Sequence, residues 1–228
     1  MTESRKAFWD GVKAEIPLLI GVFPFGMIYG ALALNAGLST LASQMMSSIV
    51  FAGSAQFITT QLVSESAPGF VIILTIAVVN LRHMLYSASL APYLKHLSTK
   101  WKVLLSYLLT DEAYAPSIIQ YEKEGIKPFS HWFLLGAGLA LWINWQISTA
   151  LGIFLGASIP DDLQLDFALP LTFIAMVVPV LKKMPMVAAA LSAGITALLA
   201  FSLPFKLGLI LAALVGILVG TLLEKANG

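Results

Sequence analysis

The chain has 228 residues, 58% of them hydrophobic and 11% charged, with a net charge of +1 and a mean hydropathy of +0.87. A soluble domain carries about 25% charged residues, so this composition cannot cover a water-facing surface and points to a bilayer. The near-neutral balance without a basic block argues against a nucleic-acid partner, and the lack of cysteine excludes disulfides and thiolate metal sites.

The N-terminus has some features of a secretory leader. Arg5, Lys6 and Lys13 precede an apolar run, and Ala31-Leu32-Ala33 resembles a cleavage site. The leader also holds Glu3, Asp10 and Glu15, and the run is too long for a signal-peptide core, so the expectation is an uncleaved first span. A helix rises 1.5 Å per residue, so crossing about 30 Å of hydrocarbon takes about 20 residues. On that measure spans are expected near Ile16–Leu34, Leu41–Val63, Phe70–Pro92, Val103–Ile119, Trp132–Leu155, Phe167–Leu181, Met186–Leu203 and Leu207–Leu223. Short polar stretches connect them: Asn35-Ala36-Gly37, Glu65-Ser66, the stretch from Glu122 to Lys127, Asp161-Asp162 and Lys182-Lys183. The expected architecture is an all-α integral membrane protein. It is a polytopic bundle of seven or eight transmembrane helices, some kinked or broken, forming a single domain over residues 1–228.

Loop charges set the expected orientation. With eight spans and a cytoplasmic N-terminus, Arg5, Lys6, Lys13, Lys123, Lys127, Lys182, Lys183 and Lys225 lie inside and Lys95, Lys100, Lys102 and Lys206 outside. The excess is on the cytoplasmic side, although the 95–102 loop opposes it. A re-entrant span would reverse everything after it, and Leu41–Val63 is the leading candidate for one. Gly26/Gly30, Gly152/Gly156 and Gly216/Gly220 are small-xxx-small pairs, which normally serve close helix packing. The first two pairs also echo each other, a hint of an internal repeat. Pro17, Pro24, Pro116, Pro170 and Pro179 fall at or inside spans, where proline kinks a helix and frees carbonyls.

Polar clusters interrupt the spans. In the third, Asn80-Leu81-Arg82-His83 is followed by Tyr86-Ser87 and Ser89. A charge at mid-bilayer costs roughly 2.5–3.5 kcal/mol on insertion scales, so its presence there marks a partner, a wet cavity or a ligand. Asp111-Glu112 falls mid-way along Val103–Ile119, with Tyr107, Asp111 and Tyr114 on one face if the helix is continuous. The alternative is a helix cap at Asp111 and a short separate element before it. Arg82 is expected to pair with Asp111 or Glu112, for architecture or for binding. Ala52-Gly53-Ser54-Ala55-Gln56-Phe57 carries a third cluster, with Ser43, Ser47, Ser54 and Gln61 on one helical stripe and a break possible at Gly53. A fourth is Trp142-Ile143-Asn144-Trp145-Gln146, mid-span, where an interfacial aromatic belt does not belong. No P-loop and no H-E-x-x-H sequence is present, and the three histidines have no zinc-type spacing.

These stretches resemble the AzlC family, the large subunit of bacterial branched-chain amino acid exporters. The resemblance is carried by Phe25-Gly26-Met27-Ile28-Tyr29-Gly30, by the stretch from Phe51 to Phe57, by the stretch from Asn80 to Leu90, and by Thr110-Asp111-Glu112-Ala113-Tyr114-Ala115 with Trp142 and Trp145. It implies a multi-pass protein of the bacterial cytoplasmic membrane that exports valine, leucine, isoleucine or methionine. It also implies a small AzlD-like membrane partner of about four helices, and neither cofactor nor enzymatic activity.

The residues suit a zwitterion. Arg82 matches a carboxylate bidentately, and Asp111 or Glu112 suits an ammonium. Ser54, Gln56, Asn80, Tyr86, Ser87, Asn144 and Trp145 complete the expected substrate site, with Met84, Phe57 and Trp145 beside the aliphatic side chain. His83, Asp111 and Glu112 are candidates to carry a coupling proton. Two rival readings are a passive channel or scaffold subunit, and an intramembrane serine hydrolase built on Ser54 and His83; the hydrolase lacks a nucleophile elbow.

Overall fold

A computed structural model of the chain describes residues 2–125, 127–156, 181, 183–204 and 207–227. Among these residues every regular element is an α-helix: α1 Glu3–Asn35, α2 Thr40–Ile49, α3 Gly53–Ser64, α4 Gly69–Leu94, α5 Thr99–Tyr107, α6 Asp111–Glu124, α7 Ser130–Gly156, α8 Met184–Leu199 and α9 Leu207–Asn227. The expected span Phe167–Leu181, apart from Leu181, lies outside the described residues, as do Asp161, Asp162, Pro170, Pro179, Lys182 and Lys206. The all-helical membrane class therefore stands. Helices α1, α4, α7 and α9 are long and apolar enough to cross a bilayer.

Contacts divide the chain into two compact units, Met1–Ser64 with Val79–Ile159, and Glu65–Val78 with Pro160–Gly228. In the first, α1 packs along α7. Leu19 O accepts a 3.4 Å hydrogen bond from Asn144 Nδ2. Gly136 sits on the Phe8 carbonyl, Gly26 on Ser148, Gly30 on Thr149 and Gly152 on Met27. Numbers rise together along both helices, so α1 and α7 run parallel. The two glycine pairs that echo each other in sequence thus pack on one another rather than heading two repeats. In the second unit Gly216 and Gly220 of α9 rest on Ala193 and Ala189 of α8, an antiparallel hairpin.

The chain from Glu3 to Glu124 does contain a repeated plan, at different residues. A long helix followed by a broken pair occurs twice, as α1 with α2–α3 and as α4 with α5–α6. Ser39 and Ser98, each in a Leu-Ser-Thr sequence, are the N-caps of α2 and α5, with φ/ψ of −67°/155° and −63°/156°. The spans expected as continuous over Leu41–Val63 and Val103–Ile119 are each two short helices. With 10 and 12 residues, α2 and α3 rise about 15 and 18 Å, so neither crosses alone.

The parallel course of α1 and α7 limits the topology. An odd number of crossings must separate them, and α4 supplies one. The broken segments α2–α3 and α5–α6 therefore both cross, or both return. A single re-entrant Leu41–Val63 is incompatible with this packing.

Outward faces are apolar, as lipid requires. Ile20, Phe70, Ile73, Leu85 and Phe154 are each more than 70% exposed. The glycine contacts make a direct test. A Cβ at Gly152 would stand 2.0 Å from the Met27 carbonyl oxygen, whereas one at Gly21 would meet nothing within 4 Å. Gly152→Ala is expected to destabilise by about 1–3 kcal/mol, and Gly21→Ala to be neutral or stabilising by up to about 1 kcal/mol. Unfolding midpoints in detergent measure both.

Candidate functional site

Both helix breaks have local causes. After α2, buried Phe51 adopts φ +40°, a conformation a bulky side chain holds only when its surroundings compel it. Its ring packs 6.0 Å from that of Tyr107, the last residue of α5. The Tyr107 hydroxyl donates to the Ser48 carbonyl, one of the α2 carbonyls with no partner inside the helix, and accepts from Trp142 Nε1 at 2.6 Å. After α5, Thr110 is extended and caps α6, its hydroxyl accepting from the Ala113 amide at 3.4 Å. Asp111 and Glu112 therefore occupy the first turn of α6 rather than mid-helix. The expected face of Tyr107, Asp111 and Tyr114 is broken between its first two members, because Thr110 interrupts the helix. The short-element alternative holds, with Thr110 rather than Asp111 as the cap.

Arg82, near the middle of α4, joins the two restarted helices. Its Nη1 donates to Asp111 Oδ2 and its Nη2 to Ser54 Oγ, each at 2.9 Å. Ser54 is the second residue of α3 and Asp111 the first of α6. The Nε of Arg82 is buried without a partner among the described residues. Each helix N-terminus carries roughly half a positive charge and amides free of helical partners. Two such ends and a guanidinium, offset at contact by Asp111, make a place suited to an anion.

The inward face of α4 continues this cluster. His83 Nδ1 lies 3.2 Å from the Asn80 carbonyl, and its ring stands edge-on to Tyr86 at 5.9 Å. Tyr86 stacks on Tyr114 at 4.6 Å, and the Tyr114 hydroxyl is 2.9 Å from Ser89 Oγ. Asn80 Oδ1 has no partner among the described residues. Leu81, Met84 and Leu85 take the other face, at 53%, 66% and 71% exposure. Met84 thus looks away from the cluster, which corrects its expected place beside a substrate.

Other expected site residues lie elsewhere. Gln56 is fully buried; its Oε1 accepts from Trp145 Nε1 at 3.0 Å, and its Nε2 is unpartnered among the described residues. Tyr29 stacks on Trp145, and Phe25 packs on Phe57. This aromatic group adjoins the start of α3 because Gly53 has no Cβ, whose position would lie 3.1 Å from the Trp145 ring. Asn144 ties α7 to the Leu19 carbonyl and is not in the Arg82 cluster. Ser87 lines a separate cavity of about 270 Å³ with Leu90, Leu105, Leu134, Lys95 and Lys102. The expected serine stripe also divides at the break. Ser47 bonds Thr149 at 2.8 Å, the Ser43 carbonyl accepts from Tyr29, Ser54 meets Arg82, and Gln61 is exposed.

Glu15 does not belong with the polar leader. It is fully buried, and neither carboxylate oxygen has a hydrogen-bond partner among the described residues. It interacts electrostatically with Glu112. The signal was helical phase: eleven residues before Gly26 is close to three full turns, so Glu15 shares the face that Gly26 turns to α7.

The AzlC protein family model matches residues 17–159. The chain belongs to the AzlC family. That match takes in the helix breaks, Arg82 and the first turn of α6, and begins just after Glu15. The chain is 27% identical to the inner membrane protein YgaZ of Escherichia coli over 86% of its length and 82% of the relative's. It is 32% identical to an uncharacterized membrane protein of Archaeoglobus fulgidus, covering 84% and 83%. It is 25% identical to the branched-chain amino acid transport protein AzlC of Bacillus subtilis, covering 75% and 68%. No solved structure matches. As in its relatives, the bilayer is the setting for this AzlC-family chain.

The bridge is testable on its own. Arg82→Gln, Asp111→Asn and the double substitution form a cycle. A coupling of about 1–3 kcal/mol in the unfolding free energy is expected, with the double variant more stable than Arg82→Gln, which leaves Asp111 without its cation.

Proposed function

We propose that this AzlC-family chain is the large subunit of a two-component exporter that moves branched-chain amino acids, and methionine, out of the cell. The observation that carries this reading is Arg82, held between the first turns of α3 and α6. Half-helix N-termini facing an anionic group recur at midplane substrate sites of transporters with discontinuous helices. The naming of the Bacillus subtilis relative as a branched-chain amino acid transport protein supports the choice of solute.

In this reading the substrate carboxylate meets Arg82 and the first-turn amides of α3, with Ser54 beside them. Asp111 or Glu112 receives the ammonium. The stacked Tyr86 and Tyr114, and Gln56 with Trp145 behind Gly53, border the apolar side chain. The activity is translocation and breaks no bond in the substrate. Export runs on the proton gradient. Of the three candidate proton carriers, His83 is set against the Asn80 carbonyl and Asp111 is ion-paired with Arg82, so the proton is assigned to Glu112, which is bonded to the Thr110 hydroxyl rather than to a cation at contact. A small AzlD-like subunit of about four helices completes the exporter.

Efflux of labelled valine, leucine and methionine, with and without that subunit, tests the proposal. Arg82→Ala is expected to insert and to export at least about tenfold more slowly, a barrier increase of about 1.4 kcal/mol or more. Arg82→Lys should lose most of the rate as well, because an ammonium cannot reproduce the two-pronged contact. Unchanged efflux from Arg82→Ala would refute the site.

A further inference from the structure

Glu15 lies deep in the first unit. One turn before it, Gly11 packs on Phe133 and Ala137 of α7; one turn after it, the Leu19 carbonyl is bonded by Asn144. Glu15 is therefore level with α7 between Ala137 and Asn144, on the face that α1 packs against it. An ionised carboxylate there, with no hydrogen-bond donor, costs several kcal/mol, and the ordinary remedy is to take up a proton. Few other groups bear on it. Among the helices packed against α1, α2 and α3 carry no titratable side chain. The sole one on α7, His131, stands edge-on to Trp101. From α6 come Glu112, with Asp111 beyond it paired to Arg82, and Tyr121, whose hydroxyl donates to the Ser130 carbonyl.

Glu15 and Glu112 are thus two acids on packed helices, α1 and α6, that feel each other's charge, one in an apolar setting and one at a helix N-terminus. The helix end favours the anion at Glu112. The bare setting favours the acid at Glu15. Carboxyl groups that feel each other's charge do not both ionise, and such a pair titrates as a unit.

We propose that Glu15, which is buried, and Glu112, which is half-buried, form a carboxyl pair that binds and releases one proton and couples proton movement to transport. The coupling role rests on the transport function proposed above; the shared proton does not. When the proton leaves, both carboxylates are charged and repel, which strains the α1–α6 contact beside the Arg82 bridge. When it returns, the contact relaxes. The proton enters from one side of the membrane and leaves to the other, and no bond is made or broken in the substrate.

The experiment has two arms on the full-length chain in membranes. Infrared difference spectroscopy reads the proton directly. The wild type is expected to show a carboxylic-acid carbonyl band near neutral pH that disappears in alkali. Glu15→Gln should remove it, and Glu112→Gln should shift its midpoint by about one pH unit or more. Absence of the band in the wild type, or its persistence unchanged in Glu15→Gln, overturns the pair.

The second arm uses vesicles from cells expressing each chain. Glu15→Gln is expected to exchange labelled valine within about twofold of wild type at equal pH, and to lose about tenfold or more of the movement driven by an imposed pH gradient. Glu15→Asp should recover part of that loss. Full gradient response in Glu15→Gln, loss of exchange together with gradient response, or a wild type driven by sodium rather than pH each overturns the coupling role. Should Glu15→Gln fail to reach the membrane, Glu15→Leu, which places no polar group in the apolar setting, is held to the same outcomes. If the wild type exchanges no valine, leucine or methionine, the transport function fails, while the infrared band still decides whether the pair holds a proton.

Discussion

The contact of Arg82 with Ser54 and Asp111 is the constraint around which the first unit is arranged. A guanidinium at the middle of an apolar helix is tolerated only when its donors are met. Here both Nη groups are met at the starts of two short helices, and those starts exist because two longer helices are broken. Without Arg82, Asp111 would lose its cation and Ser54 its donor. Without the breaks, Arg82 would face continuous backbone that is already fully bonded. The breaks bring the Ser54 hydroxyl and the Asp111 carboxylate to the guanidinium, and non-helical backbone at membrane depth must be buried in protein or line a cavity.

The breaks are closed on their other side by different means. Tyr107 joins the end of α5 to the free Ser48 carbonyl at the end of α2, and Trp142 of α7 donates to the same hydroxyl. The repeated plan of long helix and broken pair thus converges in two seams, one polar and charged, one aromatic and neutral. Beside them, the glycine-bearing faces of α1 and α7 pack so closely that backbone meets backbone. This is the expected substitute for a hydrophobic driving force, which lipid cannot provide between helices. The result is a firm α1–α7 pair, with the restarted helices and their charges held against it.

Much of this was visible in the order of residues. Low charge and long apolar runs mark the membrane. The polar residues from Asn80 to Ser89 mark the inward face of α4, and the pairing of Arg82 with Asp111 or Glu112 follows from there being so few buried charges to pair; the structure selects Asp111. Gly53 advertised one break. The second was harder to see, because Leu108 and Leu109 continue the apolar run and only Thr110 departs from it. Asn144, Ser87 and Met84 were grouped with the site because they are its neighbours in sequence. A helix turns 100° per residue, so neighbours in sequence point to different partners. Glu15 was missed for the converse reason: it sits next to charged leader residues, and its face is set by glycines eleven and more positions away.

Composition and helical periodicity by themselves determined that the chain is a membrane bundle, which stretches are apolar, and that a buried cation and an acid pair must be accommodated within it. Only the tertiary structure decided that α1 and α7 run parallel, that two apparent spans are each two helices, and that Glu15 rather than a loop acid approaches Glu112. The reason is physical. Hydrophobicity is a local, additive property that any window of sequence reports. The place where a helix stops, and the charge that meets its end, depend on donors and acceptors contributed by segments far apart in the chain.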